Sequence, residues 1–143
     1  MKGTESLQMA IDFIESRLRE PLTVDQIAKQ AKMSLFHFQR TFAVLTGVTV
    51  GEYIRRRRLT LAAYELLRAN IKIVDLAAKY GYDTPEAFAK AFRRQHGLPP
   101  SEAKARGMLV AYNRLTIQVN VGGTEPLNVR MGRGICRAPA GRS

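Results

Sequence analysis

Apolar residues recur at helical spacing through most of this chain. Leu7, Ala10, Ile11, Ile14 and Leu18 share one face of a first helix, from about Ser6 to Leu18, which Pro21 follows. Thr23-Val24-Asp25-Gln26 has the capping-box pattern, in which a threonine hydroxyl and a glutamine amide satisfy each other's backbone N–H, and it opens a short helix to about Ala31. Ser34 is an N-cap for a third helix that carries Phe38, Phe42 and Leu45 on one face and ends at Gly47. A longer fourth helix, about Val50 to Ala69, presents Tyr53, Ile54, Leu61, Tyr64 and Leu67, and Asn70 ends it. A fifth runs from about Ile73 to Tyr80 and stops at Gly81. Thr84 caps a sixth, with Pro85 at the first position, where a missing N–H costs nothing; it shows Phe88 and Phe92 and ends near Gly97. Pro99-Pro100-Ser101 leads into a brief seventh helix to about Arg106.

Beyond residue 107 the pattern changes. Leu115 to Val121 alternates apolar and polar residues, Gly122-Gly123 follows as a turn, and Leu127 to Met131 can return as a second strand. The last dozen residues, GRGICRAPAGRS, have no periodicity and read as disordered.

Fifty residues separate two similar stretches. VDQIAKQAKMS from Val24 meets VDLAAKYGYDT from Val74, Phe38 meets Phe88, Arg40 meets Lys90, Phe42 meets Phe92 and Gly47 meets Gly97, in a register that needs no gap. Ala28 meets Ala78, a small side chain that lets two helices cross closely. Each copy is a short helix, a tight turn and a longer helix opening at Ser34 or Thr84, which is the helix-turn-helix arrangement. The expected fold is therefore all-α: a seven-helix domain over 6–107, with helix-turn-helix units at about 24–46 and 74–96 joined by a long helix. Residues 108–143 are expected to form a linker and a short β or irregular tail, partly disordered. At 1.5 Å per residue a connecting helix of about twenty residues spaces the two units by about 30 Å, close to the ~34 Å between successive major-groove faces of B-DNA.

Charge sharpens this picture. The net charge is +11, from 23 Lys and Arg against 12 Asp and Glu, a balance that favours polyanions, nucleic acid before an anionic membrane surface. No apolar run is long enough for a membrane span, the start is unlike a secretory signal, and a single cysteine excludes an internal disulfide or a cysteine-rich zinc site, so a reducing, cytoplasmic setting is expected. Catalysis is not expected and no cofactor is implied. His37 and His96 fall on separate helices with no acid and cysteine set nearby, and Cys136 lies in a tail without the folded context that activates a thiol for alkyl transfer.

Groove-reading helices use their N-terminal turns. On the third helix Leu35, Phe36, Gln39 and Arg40 avoid the Phe38/Phe42 face, with His37 nearby. Arg40 suits guanine O6 and N7 or, without base information, a phosphate; Gln39 suits adenine N6 and N7. Phe36 either packs on a thymine methyl or belongs to the core. The sixth helix offers Pro85, Glu86, Ala87 and Lys90 outward. Glu86 either accepts from cytosine N4 or is an acid favoured by a helix N-terminus. Lys90 extends the base-reading set, while Arg93 and Arg94 lie on the phosphate side together with Ser34, His37, Arg55 and Thr84. Arg55 to Arg58 spread around a helix axis, so one or two reach phosphates or acids such as Glu52 and the rest are expected to be solvated. The helix N-termini at Thr23, Ser34 and Thr84 offer backbone N–H groups to phosphates.

The run from PLTVDQIAKQAKMSLFHFQRTF to IVDLAAKYGYDTPEAFAKAFRRQHGLPPSEAKA resembles the AraC/XylS family of bacterial transcription regulators, over about Leu7 to Arg106. Within it the resemblance is to the MarA/SoxS/Rob group, whose DNA-binding domain holds two motifs in one chain. Gly81-Tyr82, Phe88, Phe92-Arg93, Gly97 and Pro100 carry it most specifically. The resemblance implies a sequence-specific double-stranded DNA-binding regulator, more an activator than a repressor, that presents a surface to RNA polymerase. It also matches the family's base-contacting positions to Phe36, Gln39 and Arg40, whereas the sixth helix departs from the amides and arginine that relatives use there. LTIQVNVGGTEPLNVRM from Leu115 resembles the opening of a GyrI-like effector-binding domain, which implies a fragment of a longer protein and a small-molecule effector only where that domain is complete. The rival reading of the same charge is a non-specific basic architectural protein.

Overall fold

The computed structural model describes residues 2–118, 128–130 and 133–137. Seven helices follow one another: α1 (Lys2–Ser16), α2 (Val24–Gln30), α3 (Leu35–Thr46), α4 (Val50–Arg68), α5 (Ile73–Lys79), α6 (Pro85–His96) and α7 (Pro100–Arg106). Four short strands come after them: β1 (Met108–Tyr112), β2 (Thr116–Gln118), β3 (Asn128–Arg130) and β4 (Arg133–Arg137). Each predicted helix is present; α1 starts a turn earlier than the periodicity suggests, at Lys2 rather than Ser6. The chain forms two compact units, one of the residues up to Arg55 with the segment from Arg114, the other of Arg56–Asn113 with β4.

In the first unit the Thr23 hydroxyl accepts the Gln26 N–H at 3.2 Å and the Gln26 side chain accepts the Thr23 N–H at 3.1 Å, the reciprocal cap that the sequence predicts. Leu7, Ile11 and Ile14 from α1, Ile27 from α2 and Phe38 and Phe42 from α3 are completely buried together with Tyr53. The rings make a chain, Phe38 to Phe42 at 5.9 Å and Phe42 to Tyr53 at 5.8 Å, tilted as aromatic quadrupoles prefer. The Tyr53 hydroxyl donates to Glu15 Oε2 at 2.6 Å and accepts the Leu115 N–H at 3.2 Å, so the ring is buried with its polar end satisfied. β2 follows Leu115 and pairs antiparallel with β3, Ile117 opposite Val129; the Gly122-Gly123 turn expected between them lies outside the described residues.

In the second unit Leu59, Ala62, Ala63 and Leu66 of α4 pack with Leu76, Ala77, Phe88, Phe92 and Ala103, and Leu109 and Ala111 of β1 join them. Thr60 is a buried polar junction. Its hydroxyl donates to Arg56 O at 2.8 Å and accepts from the Tyr112 N–H at 2.9 Å and from Gln95 Nε2 at 3.0 Å, tying α4, α6 and β1 together.

The repeat departs from the gap-free register that the sequence suggests. At the C-terminus of α2 the Met33 N–H bonds to Ala28 O at 3.0 Å, and at the end of α5 the Tyr82 N–H bonds to Ala77 O at 2.9 Å. Both turns pass through a left-handed residue, Lys32 at φ 59° and Gly81 at φ 86°. These positions are 49 residues apart, whereas the caps Ser34 and Thr84 and everything beyond them are 50 apart, so Asp83 is one extra residue in the second turn. The counterpart of Ala28 is therefore Ala77, 1% exposed like Ala28 itself, and not Ala78, which is exposed. The matching Val-Asp pairs at Val24 and Val74 suggest the wrong offset because they are not equivalent in burial: Val24 is half-buried, like Ile73, whereas Val74 is exposed.

Two features of the C-terminal segment also differ from expectation. Met108–Tyr112 is a strand that the sequence reading passes over, an unbroken apolar run in which Leu109, Ala111 and Tyr112 are buried. Its antiparallel partner is Arg133–Arg137, inside the stretch expected to be disordered, with Cys136 opposite Leu109; the remainder of that stretch lies outside the described residues. Backbone pairing stabilises such a strand without leaving a side-chain period to read. Cys136 thus lies on a paired strand and not in an unstructured tail.

The two left-handed turns allow a paired test. Lys32→Gly removes a Cβ from a conformation that costs an L-residue about 1–2 kcal/mol, and is expected to raise stability by a fraction of that, offset by glycine's greater freedom in the unfolded chain. Gly81→Ala is expected to lower it by about 1 kcal/mol although a Cβ there meets only Arg58 Nη1, at 4.0 Å. Urea unfolding monitored by circular dichroism checks both signs.

Candidate nucleic-acid interface

Burial of Phe38, Phe42 and Thr46 fixes the rotation of α3, and the opposite face is left to solvent. That face holds Phe36, 72% exposed, with His37, Gln39 and Arg40 also exposed, so Phe36 is not a core residue. Leu35 is 41% exposed at its edge. Val44, 73% exposed, continues the face one turn past Arg40. Sequence reasoning missed Val44; its signal is the spacing, i+4 from Arg40 and i+8 from Phe36. Ser34 Oγ accepts the His37 N–H at 3.2 Å, and both residues are exposed at the helix entrance.

The second unit repeats the design with different chemistry. Phe88, Phe92 and His96 anchor α6, and Glu86, Ala87, Lys90, Arg93 and Arg94 are exposed, while Pro85 is half-buried. Thr84 Oγ1 accepts the Ala87 N–H at 3.0 Å. Fifty residues on from Phe36, Gln39, Arg40 and Val44 stand Glu86, Ala89, Lys90 and Arg94. The aromatic ring and the amide of α3 have no equivalent on α6, which carries three cations instead.

The four consecutive arginines of α4 divide as helix geometry requires, but not into paired and solvated sets. In the first unit Arg55 is exposed and forms an i,i+3 ion pair with Glu52. In the second, Arg56, Arg57 and Arg58 are half-buried rather than solvated. Arg57 Nη1 donates to Tyr112 O at 2.8 Å and Arg56 lies 5.1 Å from the centre of the Tyr112 ring. Burial lowers the Arg58 pKa, and interaction with Tyr82 partly offsets this. These stems cover apolar surface, so three of the four cations serve the fold.

Among the described residues no helix is long and apolar enough to cross a membrane, and no group of three His, Cys, Asp or Glu is placed to hold a metal ion.

Comparison with known proteins agrees with this geometry. A family model described as a helix-turn-helix domain matches residues 27–106. The regulatory protein SoxS of Salmonella typhimurium is 38% identical over 106 residues, which are 74% of this chain and 99% of that protein. The chain belongs to the AraC family of helix-turn-helix proteins. The multiple antibiotic resistance protein MarA of the same organism is 30% identical over 103 residues, 72% of this chain and 81% of that one. An AraC-type transcriptional regulator from Chromobacterium violaceum superposes with a TM-score of 0.67 at 26% identity, covering 71% of this chain and 90% of that one. The DNA-binding domain of AdpA, solved in complex with a target DNA, does so with a TM-score of 0.59 at 29% identity, over 71% and 87%. The family match thus runs from within α2 to the end of α7.

His96 is a structural group of the second unit. Its Nε2–H donates to Leu59 O at 3.1 Å, its Nδ1 accepts the Val110 N–H at 2.8 Å, and the ring lies tilted against Phe92 with centroids 4.3 Å apart. Burial lowers its pKa below the ordinary 6.5, with the donation to Leu59 O opposing. A lowered histidine pKa means that the unfolded chain takes up the proton first. Stability is therefore full above about pH 6.5 and falls as pH drops from there through the folded-state value. Urea midpoints are expected to decrease between pH 7.5 and 5.5 in the native chain, with a shallower decrease in His96→Gln; equal slopes in the two proteins would remove His96 from this role.

Proposed function

We propose that the chain is a sequence-specific regulator of transcription, acting as an activator, that reads double-stranded DNA through α3 and grips it through α6. The observation that carries this is the exposed face of α3, where a ring, an amide and a guanidinium stand on a helix locked by two buried phenylalanines. On this reading Arg40 pairs with guanine O6 and N7, Gln39 with adenine N6 and N7, and Phe36 packs against a thymine methyl. Glu86 and Lys90 provide what base contact α6 makes, Glu86 accepting from cytosine N4. Arg93 and Arg94, with His37, Arg55 and the helix entrances at Ser34 and Thr84, take phosphates. Relatives named as regulators and as a transcriptional activator, such as AarP of Providencia stuartii at 42% identity over 89 residues, support the regulatory role. Activation further implies a contact with RNA polymerase and work in the cytoplasm. The strand pair β2–β3 fits the start of a GyrI-like effector-binding domain, through which a small-molecule effector acts when that domain is complete. None of this chemistry needs a catalytic group or a cofactor.

The division of labour between the helices is the testable part. With a duplex selected from random oligonucleotides, Arg40→Ala is expected to lose about 1–3 kcal/mol on that duplex and nothing comparable on unrelated DNA. Arg93→Ala is expected to weaken both duplexes alike and to flatten the dependence of log K on log salt by about one unit. Competition titrations at several salt concentrations measure both. An unchanged ratio of specific to non-specific binding in Arg40→Ala would remove Arg40 from the reading set, and the same ratio near unity in the native chain would leave a non-specific architectural protein.

A further inference from the structure

The outward face of α3 is less basic than the protein that carries it. The chain has 23 Lys and Arg, yet along LFHFQRTFAVLT the formal cation is Arg40 alone. Phe36 and Val44 stand four residues before and four residues after it, and they are the most exposed large apolar side chains of the described residues, at 72% and 73%. Residues at i, i+4 and i+8 form one row on a helix, with neighbours about 5–6 Å apart. Phe36, Arg40 and Val44 therefore alternate apolar, cationic, apolar along one line, and with His37, Thr41 and Leu45 they border an open groove of about 490 Å³.

We infer that Val44 is a specificity-determining residue, and that α3 reads a guanine bracketed by two thymines, Arg40 on the guanine and Phe36 and Val44 on the flanking 5-methyl groups. This rests on the proposed DNA-reading role of α3 and deepens it. The thymine methyl is the apolar feature of a major-groove base edge, so it is the group there that an exposed valine can cover. The lengths agree. Eight residues rise about 12 Å along the helix. At about 3.4 Å per base pair that distance spans three to four pairs, which places one thymine within about two pairs on each side of the guanine. α6 supplies an internal contrast. Its residues fifty positions on are Glu86 and Arg94, both exposed and charged, so the bracketing apolar pair belongs to α3 alone. A cation at position 44, like Arg94 in the second unit, would add a phosphate contact that carries no base information; valine gives up that contact and gains discrimination.

The test removes the methyl groups one at a time. The full chain is titrated with the duplex selected from random oligonucleotides, in which each thymine in turn is replaced by deoxyuridine, leaving pairing and hydrogen-bonding edges unchanged. Two positions, one on each side of the guanine whose replacement is suppressed by Arg40→Ala, are expected to lose about three- to tenfold in affinity, the scale of one buried methyl group. Val44→Ala, a change at an exposed site with better helix propensity, is expected to abolish the loss at one of these thymines and to leave the other thymine and the guanine preference intact. Phe36→Ala is expected to do the reverse. Uridine substitution without effect near that guanine, or a loss that Val44→Ala leaves unchanged, overturns the inference while the Arg40 reading stands. Absence of any selected duplex overturns both.

Discussion

In each unit a pair of phenylalanines four residues apart sits completely buried beneath the second helix, Phe38 with Phe42 and Phe88 with Phe92, and this packing decides where every functional side chain points. A helix held at two successive turns cannot rotate about its axis. Its opposite face is then assigned to solvent by geometry and not by the character of the residues on it. Phe36 is as apolar as Phe38, yet one is 72% exposed and the other 0%. The difference is 200° of helical rotation at about 100° per residue. The cost of leaving Phe36 and Val44 in water is tolerated because the anchoring pair buries more apolar area than they expose.

The same anchor carries different polar supports in the two units. In the first, the ring row continues to Tyr53, whose hydroxyl joins Glu15 of α1 to the backbone at Leu115. In the second, the row ends on His96, and Thr60 and Gln95 complete a hydrogen-bonded junction with β1. The second unit thereby depends on a strand outside the helical repeat, and β1 supplies the Val110 N–H that satisfies the buried Nδ1 of His96 and a further N–H, from Tyr112, to Thr60. β1 is part of that core rather than a linker leaving it.

Helices and caps were legible because each is written locally: a 3.6-residue apolar stripe, a serine or threonine before it, a glycine after it. The outward list on α3 was legible for the same reason, since knowing the anchor gives its complement. Four things were not. The extra residue at Asp83 was hidden because identical Val-Asp pairs, outside the buried core, outweighed the buried Ile27-Ala28 and Leu76-Ala77, which hold the true offset. The half-buried Arg56 to Arg58 were hidden because a charge run says nothing about what its aliphatic stems cover. β4 was hidden because its partner is more than twenty residues away and its own pattern has no period. Val44 was overlooked for a simpler reason, that a valine on a helix suggests core until the facing side is fixed.

Comparing the copies separates what folding requires from what it leaves open. Phe38 and Phe88, Phe42 and Phe92, and Gly47 and Gly97 keep their types at a fifty-residue spacing, and both glycines adopt φ 82°. Thr46 and His96 differ in type but both are buried and both bond to backbone, so a polar plug at the end of the helix is retained while its chemistry is not. On the outer face the cation is kept at Arg40 and Lys90, but around it phenylalanine corresponds to glutamate, glutamine to alanine, and valine to arginine. Folding is indifferent to these exchanges, because an exposed helix position tolerates any residue of reasonable propensity at a cost of a few tenths of a kcal/mol. The outer faces therefore differ in chemistry where packing leaves them free, ring-, amide- and valine-bearing on α3 and richer in cations on α6, and the proposal that α3 discriminates between bases while α6 supplies affinity rests on that difference.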